Sequence, residues 1–156
     1  MDLRQLQYEH QQEERKVTVE RLTIGALIRT MVSTEDGLTL KNRDAKPKLL
    51  VIVGFDKERK EFYGSVLVNT KLSPKSISEI YMATQYLIRK SDYPEFLKHD
   101  SYVDCGEIFS LSLEKLLCGE YFGHLTEEDR LGVFEILETT EVFSTKEKKR
   151  FNIRRR

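Results

Sequence analysis

The densest apolar run in the chain is "KLLVIVGFD" at 48–56, where leucine, valine and isoleucine follow one another without polar alternation. That pattern predicts a strand buried on both faces. "DKERKE" (56–61) is a charged turn, and "FYGSVLVNT" (62–70) is rich in aromatic and β-branched residues. The two runs predict an antiparallel hairpin. Upstream, "LTIGALIRTMV" (22–32) reads as a strand with a bend or bulge at Gly25. A polar loop with turn residues throughout follows at 33–47. Residues 1–16 hold only Leu3, Leu6 and Tyr8 as sizeable apolar groups, the pattern of a weak helix or a mobile arm.

Downstream, Ser73 followed by Pro74 predicts a helix start, because serine caps and proline suits the first helical position. Ile77, Ile80, Tyr81, Thr84, Leu87 and Ile88 extend it over 74–90 as one apolar face. The stretch 93–111 predicts two or three short strands, and 112–116 a turn of helix or a loop. Thr126 with Asp129 three residues on resembles a capping box. Leu131, Val133, Phe134, Leu137 and Ile136 supply the apolar face of the helix it opens. Ser144 with Glu147 predicts a last short turn. Leu50, Ile52, Val66, Val68, Val103 and Ile108 are the expected core of a small antiparallel barrel, mainly β with an inserted helix and a C-terminal helix.

A chain of 156 residues fits one domain with one core. With 26 basic and 26 acidic side chains, global charge gives no argument for nucleic acid. The local distribution says more: Lys146 to Arg156 holds seven basic residues against one acid, Glu147. Cys105 and Cys118 are expected to be reduced thiols in a cytoplasm. No apolar run is long enough to span a membrane, and the start is too polar for a secretory signal.

Metal-ligand spacings and glycine-rich phosphate loops are absent, so no metal and no cofactor is expected. "KHDSYVDC" (98–105) is the stretch densest in reactive side chains. His99 with Asp100 is either a proton-transfer pair or a solvated loop. Lys46 and Lys48 around Pro47 are either charges guarding a strand end or a rim for phosphate. Thr70 caps a turn or points into a site. The tail "KEKKRFNIRRR" reads as a solvated or disordered end, while Phe151 and Ile153, set among its arginines, would also suit RNA through stacking and phosphate contacts.

Taken in order, these pieces resemble the MazF/PemK family of toxins. The family's opening Gly-bearing strand is matched by Ile24-Gly25-Ala26-Leu27-Ile28, and its Arg-Pro before an apolar strand by Lys46-Pro47-Lys48-Leu49-Leu50-Val51. Its Thr-bearing strand end is matched by Val68-Asn69-Thr70-Lys71, and its later elements by Tyr93-Pro94, Tyr102-Val103-Asp104-Cys105 and Gly123-His124-Leu125. The match covers roughly 22–140 in element order, with Lys46 in place of the family's arginine.

The resemblance implies a compact SH3-like barrel at 22–143, preceded by an arm or helix at 1–21 and followed by a basic tail at 144–156. It also implies a cytoplasmic homodimer with a small antitoxin as partner. The implied activity is metal-independent cleavage of single-stranded RNA, by attack of a ribose 2′-oxygen on the adjacent phosphate. Lys46 then takes the arginine's place as phosphate clamp and acid, and Thr70 donates to the phosphate. His99, added from its place after Tyr-Pro, acts as base or acid. Lys48, Lys71, Arg154, Arg155 and Arg156 are the expected RNA contacts. The competing reading is a barrel without catalysis that binds a protein or nucleic acid, as CcdB-type toxins bind their target.

Overall fold

The computed structural model describes residues 2–32, 46–56, 58, 60–68, 82–151 and 153, with the backbone alone at 46 and 66–68. Helix α1 (Leu3–Arg15) is followed by strands β1 (Ala26–Val32), β2 (Lys46–Asp56), β3 (Glu61–Val68), β4 (Gln85–Ile88), β5 (Ser101–Asp104) and β6 (Phe109–Ser112). Helix α2 (Leu113–Leu117), strand β7 (Glu120–His124) and helices α3 (Glu127–Thr139) and α4 (Thr145–Arg150) complete the order.

All pairings are antiparallel, along the path β4-β5-β3-β2-β1-β7. The expected hairpin is β2–β3, with Leu50 opposite Val66 and Asp56 opposite Glu61. The other edge of β3 is divided: Glu61–Gly64 pairs with β6, and Leu67–Val68 pairs with β5. Among the described residues no pairing joins the end strands β4 and β7, so the path does not close.

The apolar run of β2 is buried on both faces. Val51 and Val53 join Leu27, Tyr63, Val103 and the α3 residues Val133, Phe134 and Leu137 in one core. Leu50 and Ile52 join Ile28, Phe62, Phe109, Leu111 and Leu116 in a second core on the other side. Consecutive strand residues point to opposite faces, which is why this run needs no polar alternation. Each such side chain contributes roughly 1.5–3 kcal/mol by burial. Of the expected core residues, Leu50, Ile52 and Val103 are fully buried and Ile108 is half-buried. The side chains of Val66 and Val68 lie outside the described residues.

Several expectations are corrected. Gln85–Ile88, the end of the expected 74–90 helix, is strand β4, paired residue for residue with β5. The part of that helix at 74–81, with Ile77, Ile80 and Tyr81, lies outside the described residues. Leu131 is 54% exposed and so is not part of the buried face of α3. The aromatic and aliphatic residues of the C-terminal stretch do not face outward to stack on RNA. Ile153 is buried, and Phe151 packs against Tyr63 and Phe143. Among the described residues no helix is long and apolar enough to cross a membrane.

Candidate functional site

The antiparallel order gathers several strand ends. Lys46 opens β2 opposite Val32, the last residue of β1. β3 runs back along β2 and ends at Val68, which pairs with Tyr102 near the start of β5. Ser101, the first residue of β5, pairs with Ile88, the last of β4. The starts of β2 and β5 and the ends of β1, β3 and β4 therefore share one end of the sheet. Neighbouring strands lie about 4.8 Å apart, so the β2 and β5 backbones are separated by roughly 10 Å there.

His99 is exposed in the loop that enters β5. Its carbonyl accepts the Ser101 hydroxyl at 3.1 Å. Asp100 Oδ1 accepts the backbone N–H of Lys90 at 2.8 Å, which ties this loop to the end of β4. Lys48 is half-buried opposite Thr30. The side chain of Lys46 and the whole of Thr70, Lys71 and Arg154–Arg156 lie outside the described residues.

A second constellation sits at the other end of β1. Thr23 to Ala26 forms a tight turn, closed by Ala26 N–H donating to the Thr23 carbonyl at 3.0 Å. Gly25 occupies its third position at φ +91°, a left-handed backbone conformation that residues with a Cβ rarely adopt. Across from it, Gly123 at φ +104° lies in a β7 bulge, where Ala26 pairs with His124 but Ile28 pairs with Tyr121. Without the extra residue, positions 121 and 124 would point to opposite faces. With it, the His124 imidazole meets the Tyr121 hydroxyl at Nδ1 and the Thr23 hydroxyl at Nε2, each at 2.6 Å.

Partial burial pushes the His124 pKa below its ordinary value. Burial pushes the Tyr121 phenol up, opposed by the Arg21 guanidinium 4.7 Å above its ring. Arg21 also donates to the carbonyls of Glu13, Glu14 and Lys16 at 3.3, 2.7 and 2.8 Å, capping the C-terminal end of α1. A neutral imidazole has one donor and one acceptor nitrogen, so this cluster can pass a proton between two hydroxyls. His124 and Lys46 pair with residues six apart on β1, Ala26 and Val32, so about 20 Å separates them. The sequence signal for the cluster was Gly123-His124 before the capping threonine; its partner Thr23 lies 101 residues away.

A third polar group is internal. Asp129, 7% exposed, accepts the phenols of Tyr86 at 2.9 Å and Tyr93 at 2.5 Å. Thr126 caps α3 by accepting from Asp129 N–H at 3.2 Å. The capping threonine is thus as expected, while the Asp129 carboxylate turns to the two tyrosines. Among the described residues no cluster of three or more His, Cys, Asp or Glu side chains is placed to hold a metal ion.

No protein-family model matches the sequence, and no curated protein matches it. What the geometry defines is a mixed helix-and-strand protein with an antiparallel sheet and a core on each of its faces.

Proposed function

We propose that this protein cleaves single-stranded RNA without a metal ion, as a toxin of the MazF/PemK kind with an SH3-like barrel and a small antitoxin as partner. The observation that carries the reading is the strand order β2-β3-β5, which brings Lys46 and the loop of His99 to one end of the sheet. RNA transesterification needs a base for the 2′-hydroxyl, donors for the charge building on phosphate, and an acid for the leaving 5′-oxygen. His99 and Lys46 are the residue types for those roles, and Thr70 follows the end of β3 by two positions. The resemblance in element order over 22–140 supports the same reading.

The test is a single-stranded RNA substrate in EDTA with wild type, Lys46→Ala, Lys46→Arg and Lys48→Ala, all checked for folding. Lys46→Ala should lose about 100- to 1000-fold in rate, the usual effect of removing one transition-state donor. Lys46→Arg should keep or raise activity, because guanidinium offers phosphate a bidentate fork. Lys48→Ala should change the rate far less. An inert wild type would replace this reading with a binding domain that lacks catalysis.

A further inference from the structure

We infer that the open part of the sheet face formed by Arg29, Met31, Pro47, Leu49 and Phe122, with Arg15 from α1, is a track for single-stranded RNA. The inference rests on the RNA reading above and extends it away from the reacting atoms.

Register puts these residues on one face. Arg29 lies opposite Leu49, and Met31 opposite Pro47. Arg29 also lies opposite Glu120, which shares its side of β7 with Phe122. This is the face that carries Leu27 and Val51 beneath α3 farther along. Here it is open: Met31 is 47% exposed, Arg29 and Pro47 are exposed, and Leu49 and Phe122 are half-buried.

The charge on it is positive. The guanidinium carbons of Arg29 and Arg15 lie 5.0 and 5.2 Å from the Phe122 ring centroid. Glu120 is 3.7 Å from Arg15, leaving one cation in excess over the patch. Phe122 is fixed from below by Phe96, with centroids 5.6 Å apart. The loop leading from Phe96 carries the exposed Lys98 and His99 two and three residues later. At its other side the patch ends on Pro47, the residue after Lys46. The track therefore reaches the end of the sheet at which β2 opens with Lys46 and the His99 loop enters β5.

Alternating guanidinium and apolar surface suits a flexible single strand. Bases lie on aliphatic and Arg-aromatic surfaces while phosphates take the outer edges of the guanidiniums. A duplex would need a row of cations along both backbones, and a buried protein interface would have to desolvate two arginines against one glutamate.

The test uses a 2′-O-methyl oligonucleotide, which lacks the nucleophilic hydroxyl, bound to the full-length protein and followed by fluorescence anisotropy at several salt concentrations. The Arg15→Ala/Arg29→Ala double variant should bind at least tenfold more weakly. Its log–log salt slope should fall by about 1.4, the value for two lost phosphate contacts on a single strand. Met31→Ala should weaken binding without changing the slope. If wild type binds and cuts RNA but the double variant binds equally well with the same slope, the track is wrong and the RNA reading stands. If wild type neither binds nor cuts, both fall. A wild-type dimer in sedimentation that Met31→Arg converts to monomer would also overturn the track, because a second copy would then cover this face.

Discussion

The phenol of Tyr93 donates to Asp129 Oδ2 at 2.5 Å, and the same phenolic oxygen accepts the backbone N–H of Thr126 at 3.0 Å. One hydroxyl thereby joins the turn at 93 to the first turn of α3 and satisfies one of its unpaired N–H groups. Tyr93→Phe leaves a buried carboxylate short of a donor and an N–H without its acceptor. It should cost about 1–3 kcal/mol in urea denaturation. Tyr86→Phe should cost less, because Tyr86 is only half-buried. Burial, then the bond to Asp129, pushes both phenols up to about 12 from the ordinary 10.0. An acid whose folded pKa is raised adds stability below its unfolded pKa and loses it as pH rises. The urea midpoint should fall between about pH 10 and 12, and less steeply in the two Phe variants.

Gly132 lies on α3 against the Tyr86 ring. In an exposed helix, Gly→Ala stabilises by about 1 kcal/mol. Here a Cβ would run into ring carbons of Tyr86, half-buried and held by Asp129. Gly132→Ala should therefore destabilise the protein, and Gly132→Ala in a Tyr86→Ala background should not. Thermal melts of the four proteins form the cycle that checks this.

How much of this was legible follows from how local each signal is. Leu50–Val53 announced a doubly buried strand because every residue of the run is apolar, and Thr126 and Ser144 announced helix starts because caps act within three residues. Gln85–Ile88 misled because Tyr81, Thr84 and Ile88 fit a helical face, while Tyr86 and Ile88 also fit a strand's alternation. Pairing with β5 decided between them. β7 went unread because Tyr121 and Phe122 bury halves of opposite faces and a bulge breaks the alternation. Along the sequence Asp129 reads as part of a cap alone, since nothing in its neighbourhood along the chain points to Tyr86 or Tyr93. At the proposed reaction end, Lys46 and His99 could be named, but their shared location needed the β2-β3-β5 order.

The two cysteines are free and differ in exposure. Cys105 is fully buried, and burial, then the nearby Asp104, pushes its thiol up to about 12. Cys118 is exposed at the end of α2. A thiolate-specific reagent should modify Cys118 in the native protein and Cys105 only after denaturant is added. Peptide mass mapping of alkylated protein would show it; modification of Cys105 at the same rate as Cys118 would contradict the burial.

His124 gives the pH dependence on the acid side. Partial burial of its ring holds its folded pKa below the ordinary 6.5, and the hydroxyls of Thr23 and Tyr121 meet its two nitrogens. The charge beside this pair is Arg21, over the Tyr121 ring, which adds nothing to favour a protonated imidazole. For a base with a depressed folded pKa, the unfolded chain takes up the proton first. The contribution is therefore intact above 6.5, declines as pH falls below it, and levels off under the folded pKa. An NMR titration of the His124 ring, assigned by its loss in His124→Gln, should give a midpoint below 6.5. The difference in urea stability between wild type and His124→Gln should shrink as pH falls through that window. Thr23→Val removes one hydroxyl and should leave the burial-driven direction unchanged while weakening the link between the Thr23 turn and β7. A His124 midpoint at or above 6.5 would mean that the imidazole is better solvated than the bulge at Gly123 and the turn at Gly25 make it.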